Sequence, residues 1–113
     1  MHALDRTAWE VLNATADDCE NLEQIYHLVC FEYDAEGDLP GQGVYRPVRG
    51  APFLSDIADR VRALVEAGLL RPVMDENGEP LSGTADLGYV WRAWFVMTPR
   101  GRSVWESSEH AQA

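Results

Sequence analysis

Apolar residues that recur every three or four positions predict three helices in the first two thirds of the chain. The first begins near Asp5, whose negative charge suits the first turn of a helix. The second follows Asp17 and Asp18, either of which can cap it. The third spans residues 53–68 and ends at Gly68, since glycine often follows a helix. The residues expected to face the core are Leu4, Ala8, Val11 and Leu12; Leu22, Ile25, Tyr26, Val29 and Tyr33; and Leu54, Ile57, Ala58, Val61, Leu64 and Val65.

The last third of the chain changes to the pattern of a β-hairpin. Residues 69–74 and 89–97 predict two strands, and Asn77-Gly78 between them is typical of a tight hairpin turn. Thr98 and Pro99 then predict a short final helix through Trp105. This order predicts an α+β fold of the winged helix-turn-helix type, with a three-helix core, a two-stranded wing and a short C-terminal helix. We expect one domain over residues 1–106 and a flexible tail over residues 107–113.

Residues 34–52, between the second and third predicted helices, fit neither pattern. Their glycines and prolines exclude a long helix, although Val44, Tyr45 and Val48 could form a short strand. On the second helix, Leu28 and Phe31 point away from the apolar stripe, so either this segment covers them or they form a contact surface. Long loops inside compact domains are often functional.

Two stretches of the sequence resemble winged-helix regulators of the MarR and PadR families. One runs from Ile57 through Gly68-Leu69-Leu70-Arg71 and is similar to their third helix and first wing strand. The other, Met97-Thr98-Pro99-Arg100-Gly101-Arg102, is similar to the threonine-proline-x-glycine exit from their second wing strand. The resemblance covers residues 54–105. It implies that the third helix enters the major groove of DNA and that the wing contacts the backbone or the minor groove.

The sequence departs from those families in three respects. The segment between the second and third helices is longer than their tight turn. The final helix is too short to serve as their long dimerisation helix, so a homodimer would need another surface. The wing, residues 75–88, has no basic residue, and its acids are Asp75, Glu76, Glu79 and Asp86.

The charge of the chain opposes a general affinity for nucleic acid. There are 19 acidic residues and 9 arginines, with no lysine, which gives a net charge of −10. This charge repels DNA and anionic membranes on average, so any contact with double-stranded DNA must be local. Because no apolar stretch approaches the roughly 18 residues of a membrane span and no secretion signal is visible, we expect a cytoplasmic protein that does not bind membranes.

A DNA-binding transcriptional regulator is the function predicted first. Its candidate contacts are Arg46 and Arg49, in the one cluster with net positive charge, and Arg62 and Ser55 on the outer face of the third helix. Arg62 lies three residues from Asp59, so an ion pair within the helix could occupy it instead.

The alternative is an acidic winged-helix module that binds a basic protein, as an adaptor or a nucleic-acid mimic. Its candidate interface is the second wing strand, with Trp91 and Phe95 on one side and Trp94 on the other.

Neither catalysis nor metal binding is indicated by the residues. There is no nucleophile elbow, phosphate-binding loop or paired metal-ligand motif, so we expect neither an enzyme nor a cofactor. Cys19, His27 and Cys30 share the second predicted helix, but Cys19 is too far along it to share a metal with the other two. Because about 16 Å of helix would separate the two cysteines, we also expect free thiols.

Overall fold

Four α-helices and five strands form the α+β fold of the computed structural model, which describes residues 4–39, 41–81 and 87–112. The α+β class is as predicted. Two 3-10 turns, Leu87–Trp91 and Glu109–Gln112, complete the described chain. In chain order the elements are α1 (Arg6–Ala14), β1 (Glu20–Asn21), α2 (Leu22–Cys30), β2 (Phe31–Leu39), β3 (Gln42–Pro47), α3 (Leu54–Glu66), β4 (Leu70–Met74), β5 (Trp94–Met97) and α4 (Pro99–Ser107).

Polar side chains begin three of the helices. The side-chain oxygens of Asp5, Asn21 and Thr98 each accept a hydrogen bond from the backbone amide three residues further on, at 2.7, 2.9 and 2.9 Å. The expectation that Asp17 or Asp18 caps the second helix is therefore wrong. The physical reason is β1, whose two residues pair with β5 and so keep the backbone extended as far as the Asn21 cap.

The apolar stripes of α1, α2 and α3 meet in one core. Most of the predicted core positions are buried, but two of them are exposed. Tyr33 is 61% exposed because α2 ends at Cys30 and Tyr33 lies on β2, and Leu54 is 36% exposed at the start of α3. The fully buried side chains that fill the centre of the core include Val11, Leu12, Ile25, Ile57, Val61, Leu69, Leu70, Val90 and Phe95.

A three-stranded antiparallel sheet packs beside the helices in the order β1-β5-β4. The predicted turn at Asn77-Gly78 is present, since Gly78 has a φ of +78° and its amide donates to the Asp75 carbonyl at 3.0 Å. However, the second wing strand, predicted over residues 89–97, covers only Trp94–Met97. Residues 87–91 instead form a 3-10 turn, which the Ala93 amide closes by donating to the Tyr89 carbonyl at 2.8 Å.

An antiparallel hairpin, β2–β3, lies between α2 and α3, in a segment that the sequence predicts to be mostly loop. β2 follows α2 without an intervening residue, and Tyr33 lies opposite Tyr45 with ring centroids 5.4 Å apart. The sequence predicts a second helix that continues to Tyr33, three residues beyond the end of α2. For this reason the alternation of apolar and acidic residues in β2, which is typical of a strand, was missed. The hairpin does not cover Leu28, which is 58% exposed, while Phe31 is partly buried.

Thr98 and Gly101 join the end of α3 to the start of α4. The Thr98 hydroxyl donates to the Gly68 carbonyl at 2.7 Å, and the Thr98 amide donates to the Leu69 carbonyl at 3.1 Å. Gly101 is buried, and a Cβ atom there would overlap the Leu69 carbonyl oxygen. The threonine-proline-x-glycine motif therefore has a structural role in this chain.

Indole groups connect α4 to α1. The Trp9 indole donates to the Trp105 carbonyl at 3.3 Å, and the Trp105 indole donates to the Asn13 side chain at 3.2 Å. In the segment predicted to be a flexible tail, residues 109–112 form a 3-10 turn and the His110 ring lies 3.1 Å from the Leu4 carbonyl oxygen. Ala113 lies outside the described residues.

Candidate functional site

Two of the arginines predicted to contact DNA are held in ion pairs. The Arg46 guanidinium, on β3, lies 2.8 Å from the Asp34 carboxylate on β2. This hydrogen bond, assisted by the Glu36 amide, lowers the pKa of Asp34 from its ordinary value. On α3, the Arg62 guanidinium lies 3.3 Å from the carboxylate of Asp59, three residues before it in the sequence. Both arginines therefore have a carboxylate partner within the protein.

The other two predicted DNA contacts, Arg49 and Ser55, are exposed. Arg49 lies in the turn between β3 and α3, where Gly50 has a φ of +74°, and Ser55 lies in the first turn of α3. Within the described part of the chain, no carboxylate is within ion-pair distance of Arg49.

The turn at residues 75–79, in the predicted wing and called the wing turn below, is acidic. Glu76 and Glu79 are exposed, whereas the Asp75 carboxylate closes the turn by accepting hydrogen bonds from the amides of Asn77 and Glu79 at 2.8 and 3.0 Å. Asp86, the fourth acid noted in the wing, lies outside the described residues. Asp75 therefore acts within the turn, and the two glutamates leave its surface negative.

The predicted interface on the second wing strand is only partly at the surface. Trp91 is 54% exposed and Trp94 is partly buried, but Phe95 is fully buried in the core. Phe95 as an interface residue is therefore a wrong prediction. The alternation assumed for one continuous strand fails because Trp91 lies in the 3-10 turn, so its direction does not predict that of Phe95.

A groove between α2 and the hairpin exposes apolar and acidic side chains together. This hairpin-side groove has a volume of about 620 Å³. Leu28 is 58% exposed and Tyr45 is 69% exposed, and the His27 and Phe31 rings are 4.7 Å apart between centroids. No arginine is among the described residues that line the groove, which include Glu20, Glu23, His27, Leu28, Phe31 and Tyr45.

A second, smaller cleft lies on the other side of α2. This Trp91 cleft has a volume of about 360 Å³ and is lined, among the described residues, by Leu22, Glu23, Tyr26, His27, Leu54 and Trp91. Glu23 and His27 line both cavities, so the two lie on either side of the same stretch of α2. The sequence identifies Leu28 as an outward-facing apolar residue. It contains no pattern that predicts Tyr45 and Trp91 on opposite sides of α2.

Further carboxylates surround Leu28 on the side of α1. A third groove, of about 540 Å³, is lined by Leu28 and Phe31 together with Arg6, Glu10, Asp17, Glu20 and Glu32. The guanidinium of Arg6 lies 3.0 Å from Glu10, so this arginine is paired. Leu28 therefore lies between two grooves that both carry acidic groups.

Glu20, which lines both the α1-side and hairpin-side grooves, is in an unfavourable setting for its negative charge. Partial burial, with a further contribution from nearby Asp18, raises its pKa from the ordinary value. A positively charged group placed in the groove would relieve both effects, because an opposite charge favours the ionised carboxylate.

The two cysteines are free thiols, and only Cys30 lies in a helix. Cys19 precedes β1, so the expectation that it shares a helix with Cys30 is wrong, for the same reason that α2 begins late. The Cys30 thiol donates to the Pro52 carbonyl at 3.3 Å, and burial raises its pKa. Among the described residues, no group of three histidines, cysteines or acids is placed to hold a metal ion.

Comparison of the chain with protein-family models, with curated protein sequences and with solved structures finds no match. In the part of the chain that is described, no helix has the length and apolar character needed to cross a bilayer.

Proposed function

We propose that the chain is an acidic winged-helix module that binds a basic, partly apolar region of another protein. The order of three helices, a wing turn and a short final helix supports the winged-helix assignment. The short strand β1, between α1 and α2, adds a third strand to the expected two by pairing with β5 beside β4. The inserted hairpin β2–β3 would be the addition that distinguishes this chain from a plain winged helix.

One observation carries the protein-binding function: on α2 and on the elements beside it, apolar side chains are exposed among carboxylates. Leu28, Tyr45 and Trp91 are each more than half exposed, and each lines one of the cavities beside α2. Exposed apolar and aromatic residues at a concave surface are typical of protein contacts. The surrounding acids and the net charge of −10 favour a cationic partner.

DNA binding, the function that the family resemblance implies, has less support. To contact phosphates, Arg46 and Arg62 would have to leave Asp34 and Asp59. Arg49 and Ser55 are exposed without requiring such an exchange, but two such residues provide few of the phosphate contacts on which DNA affinity depends.

The two functions can be separated by measuring both kinds of binding on the same protein. A displayed library of random 12-residue peptides is selected against the immobilised chain, and synthetic copies of the enriched peptides are titrated by fluorescence anisotropy. In parallel, a labelled random-sequence duplex is titrated from low to physiological salt.

We expect enriched peptides that contain both basic and apolar residues, with binding that weakens as salt increases, and no duplex binding at physiological salt. Duplex binding with a steep salt dependence, together with no enriched peptide, would replace the proposal with DNA binding.

A further inference from the structure

We propose that the partner binds as an extended segment that crosses α2 at His27. The segment would insert one apolar side chain into the hairpin-side groove and another into the Trp91 cleft, with an arginine or lysine between them. This inference rests on the proposed function, and it specifies the site and the chemistry of the bound segment.

The first step is that the two cavities adjoin across α2. Both are lined by Glu23 and His27, which are exposed on the same face of α2. Leu28 and Tyr45 lie on the hairpin side, and Trp91 lies on the other side. A chain that runs from one cavity to the other along this surface therefore passes over Glu23 and His27, with an exposed apolar side chain of the protein on either side.

The width of α2 determines the spacing of the two apolar side chains. A helix with its side chains is about 10 Å across. A polyproline-like segment rises about 3.1 Å per residue and directs every third side chain to the same side. A β-strand rises about 3.3 Å per residue and directs alternate side chains to the same side. The two apolar residues of the partner should therefore be about three to four positions apart.

Charge determines what lies between them. Glu23 belongs to both cavities and Glu20 to the hairpin-side groove, while the described lining of either cavity contains no arginine. A nearby cation would favour the ionised form of the partly buried Glu20 carboxylate, whose pKa is raised by burial. A basic residue between the two apolar anchors would lie near Glu23, and an acidic residue there would be repelled.

The test uses three labelled 12-residue peptides in a glycine and serine background, titrated against the full chain. The first has a leucine and a phenylalanine three positions apart, with two arginines between them. The second has glutamates in place of the arginines, and the third separates the two apolar residues by eight positions. We expect the first peptide to bind at least about tenfold more tightly than either of the others.

Variants of the protein then locate the site. Leu28→Ser and Trp91→Ala each remove an exposed anchor contact, so we expect each to weaken binding of the first peptide by at least about fivefold. Glu23→Gln should weaken it severalfold at low salt and much less at high salt. Two matched controls, Phe53→Ser and Glu76→Gln, change an exposed aromatic and an exposed acid that line neither cavity, and they should leave binding unchanged.

Amide chemical shifts of the unmodified protein give a readout that does not depend on any variant folding. Addition of the first peptide should shift resonances in α2 and in residues 87–91 and leave those of the wing turn in place. The inference is overturned if the acidic peptide binds equally well, or if Leu28→Ser and Trp91→Ala have no effect. It is also overturned, with the proposed function intact, if library-selected peptides bind elsewhere. If no peptide of either origin binds, the proposed function fails as well.

Discussion

At Gly101 the backbone of α4 lies directly against the carbonyl group of Leu69, and both residues are buried. In Gly101→Ala, the new methyl group would force α4 away from the end of α3, where Thr98 forms two hydrogen bonds. We expect a loss of about 1–3 kcal/mol in the free energy of unfolding, measured by urea denaturation. Ser103→Ala, an exposed change in the same helix, should cost less than about 0.5 kcal/mol, and equal losses in the two variants would contradict this account.

Asp5 makes the stability of the fold dependent on pH. Burial alone would raise its pKa, but the Ala8 amide and the Arg60 guanidinium outweigh that effect and lower the pKa from its ordinary value. Since the pKa is lower in the folded state, the stabilisation is present above the unfolded pKa of about 3.9 and is lost as the pH falls through the folded pKa.

The substitution Asp5→Asn tests this charge while retaining a side-chain oxygen to cap α1. We expect the variant to be less stable at neutral pH by less than about 1 kcal/mol, because the ion pair with Arg60 is largely exposed. Between about pH 6 and pH 3 the variant should lose less stability than the unmodified protein. Parallel loss in the two proteins, followed by denaturation at several pH values, would show that the Asp5 charge has no such role.

At the scale of elements, the sequence predicts what local patterns determine. Helix α3 and the cap of α4 were predictable because the periodicity of α3 and the Thr98-Pro99 cap are local signals. The end of α2 was not, since Tyr33 continues the helical pattern by coincidence and the backbone changes to strand at Phe31. The 3-10 turn before β5 was also missed. The run of aromatic and apolar residues from Tyr89 onward is equally compatible with a strand and with a turn packed on the core.

The hairpin β2–β3 should be separable from the rest of the fold. Residues 33–45 are excised, and Glu32 is joined to Arg46 through an inserted asparagine-glycine turn. The antiparallel pairing of Phe31 with Pro47, at the base of the hairpin, is then retained. Because the residues removed include none of the described buried core, we expect cooperative thermal unfolding to persist. The same variant should no longer bind the peptide, because it lacks Tyr45 and with it one side of the groove. A broad, non-cooperative transition would show that the hairpin is needed for the core to form.

At the scale of the whole molecule, the excess of negative charge is the dominant property. With a net charge of −10 on 113 residues, like-charge repulsion opposes the folded state, and added salt should screen it. We expect the midpoint of thermal unfolding to rise as sodium chloride is increased from about 0.02 to 0.3 M. Over this range the Debye length decreases and passes through about 10 Å. Glu76→Gln, which removes one exposed charge, should be stabilised less by salt than the unmodified protein. A midpoint that falls with salt would mean that the ion pairs outweigh the repulsion.

The candidate site could be predicted only in part, because its residues come together through tertiary structure. Leu28 can be identified from its position off the apolar stripe, and Trp91 from its aromatic surroundings. Their relation to Tyr45 and to Glu23 depends on the direction in which the hairpin leaves α2 and on the 3-10 turn, neither of which has a local sequence signal.

The junction between Thr98 and Gly101 also bears on how proteins of this kind diverge. Its residues are required by the packing of α4 on the end of α3, so selection for a folded protein alone would preserve them. Exposed side chains such as Leu28 on α2 and Glu76 in the wing turn are under no such packing requirement, so they can change without disturbing the core. A second protein recognised by this motif alone would therefore be expected to share the junction of α3 with α4, and its role would have to be established from its own surface.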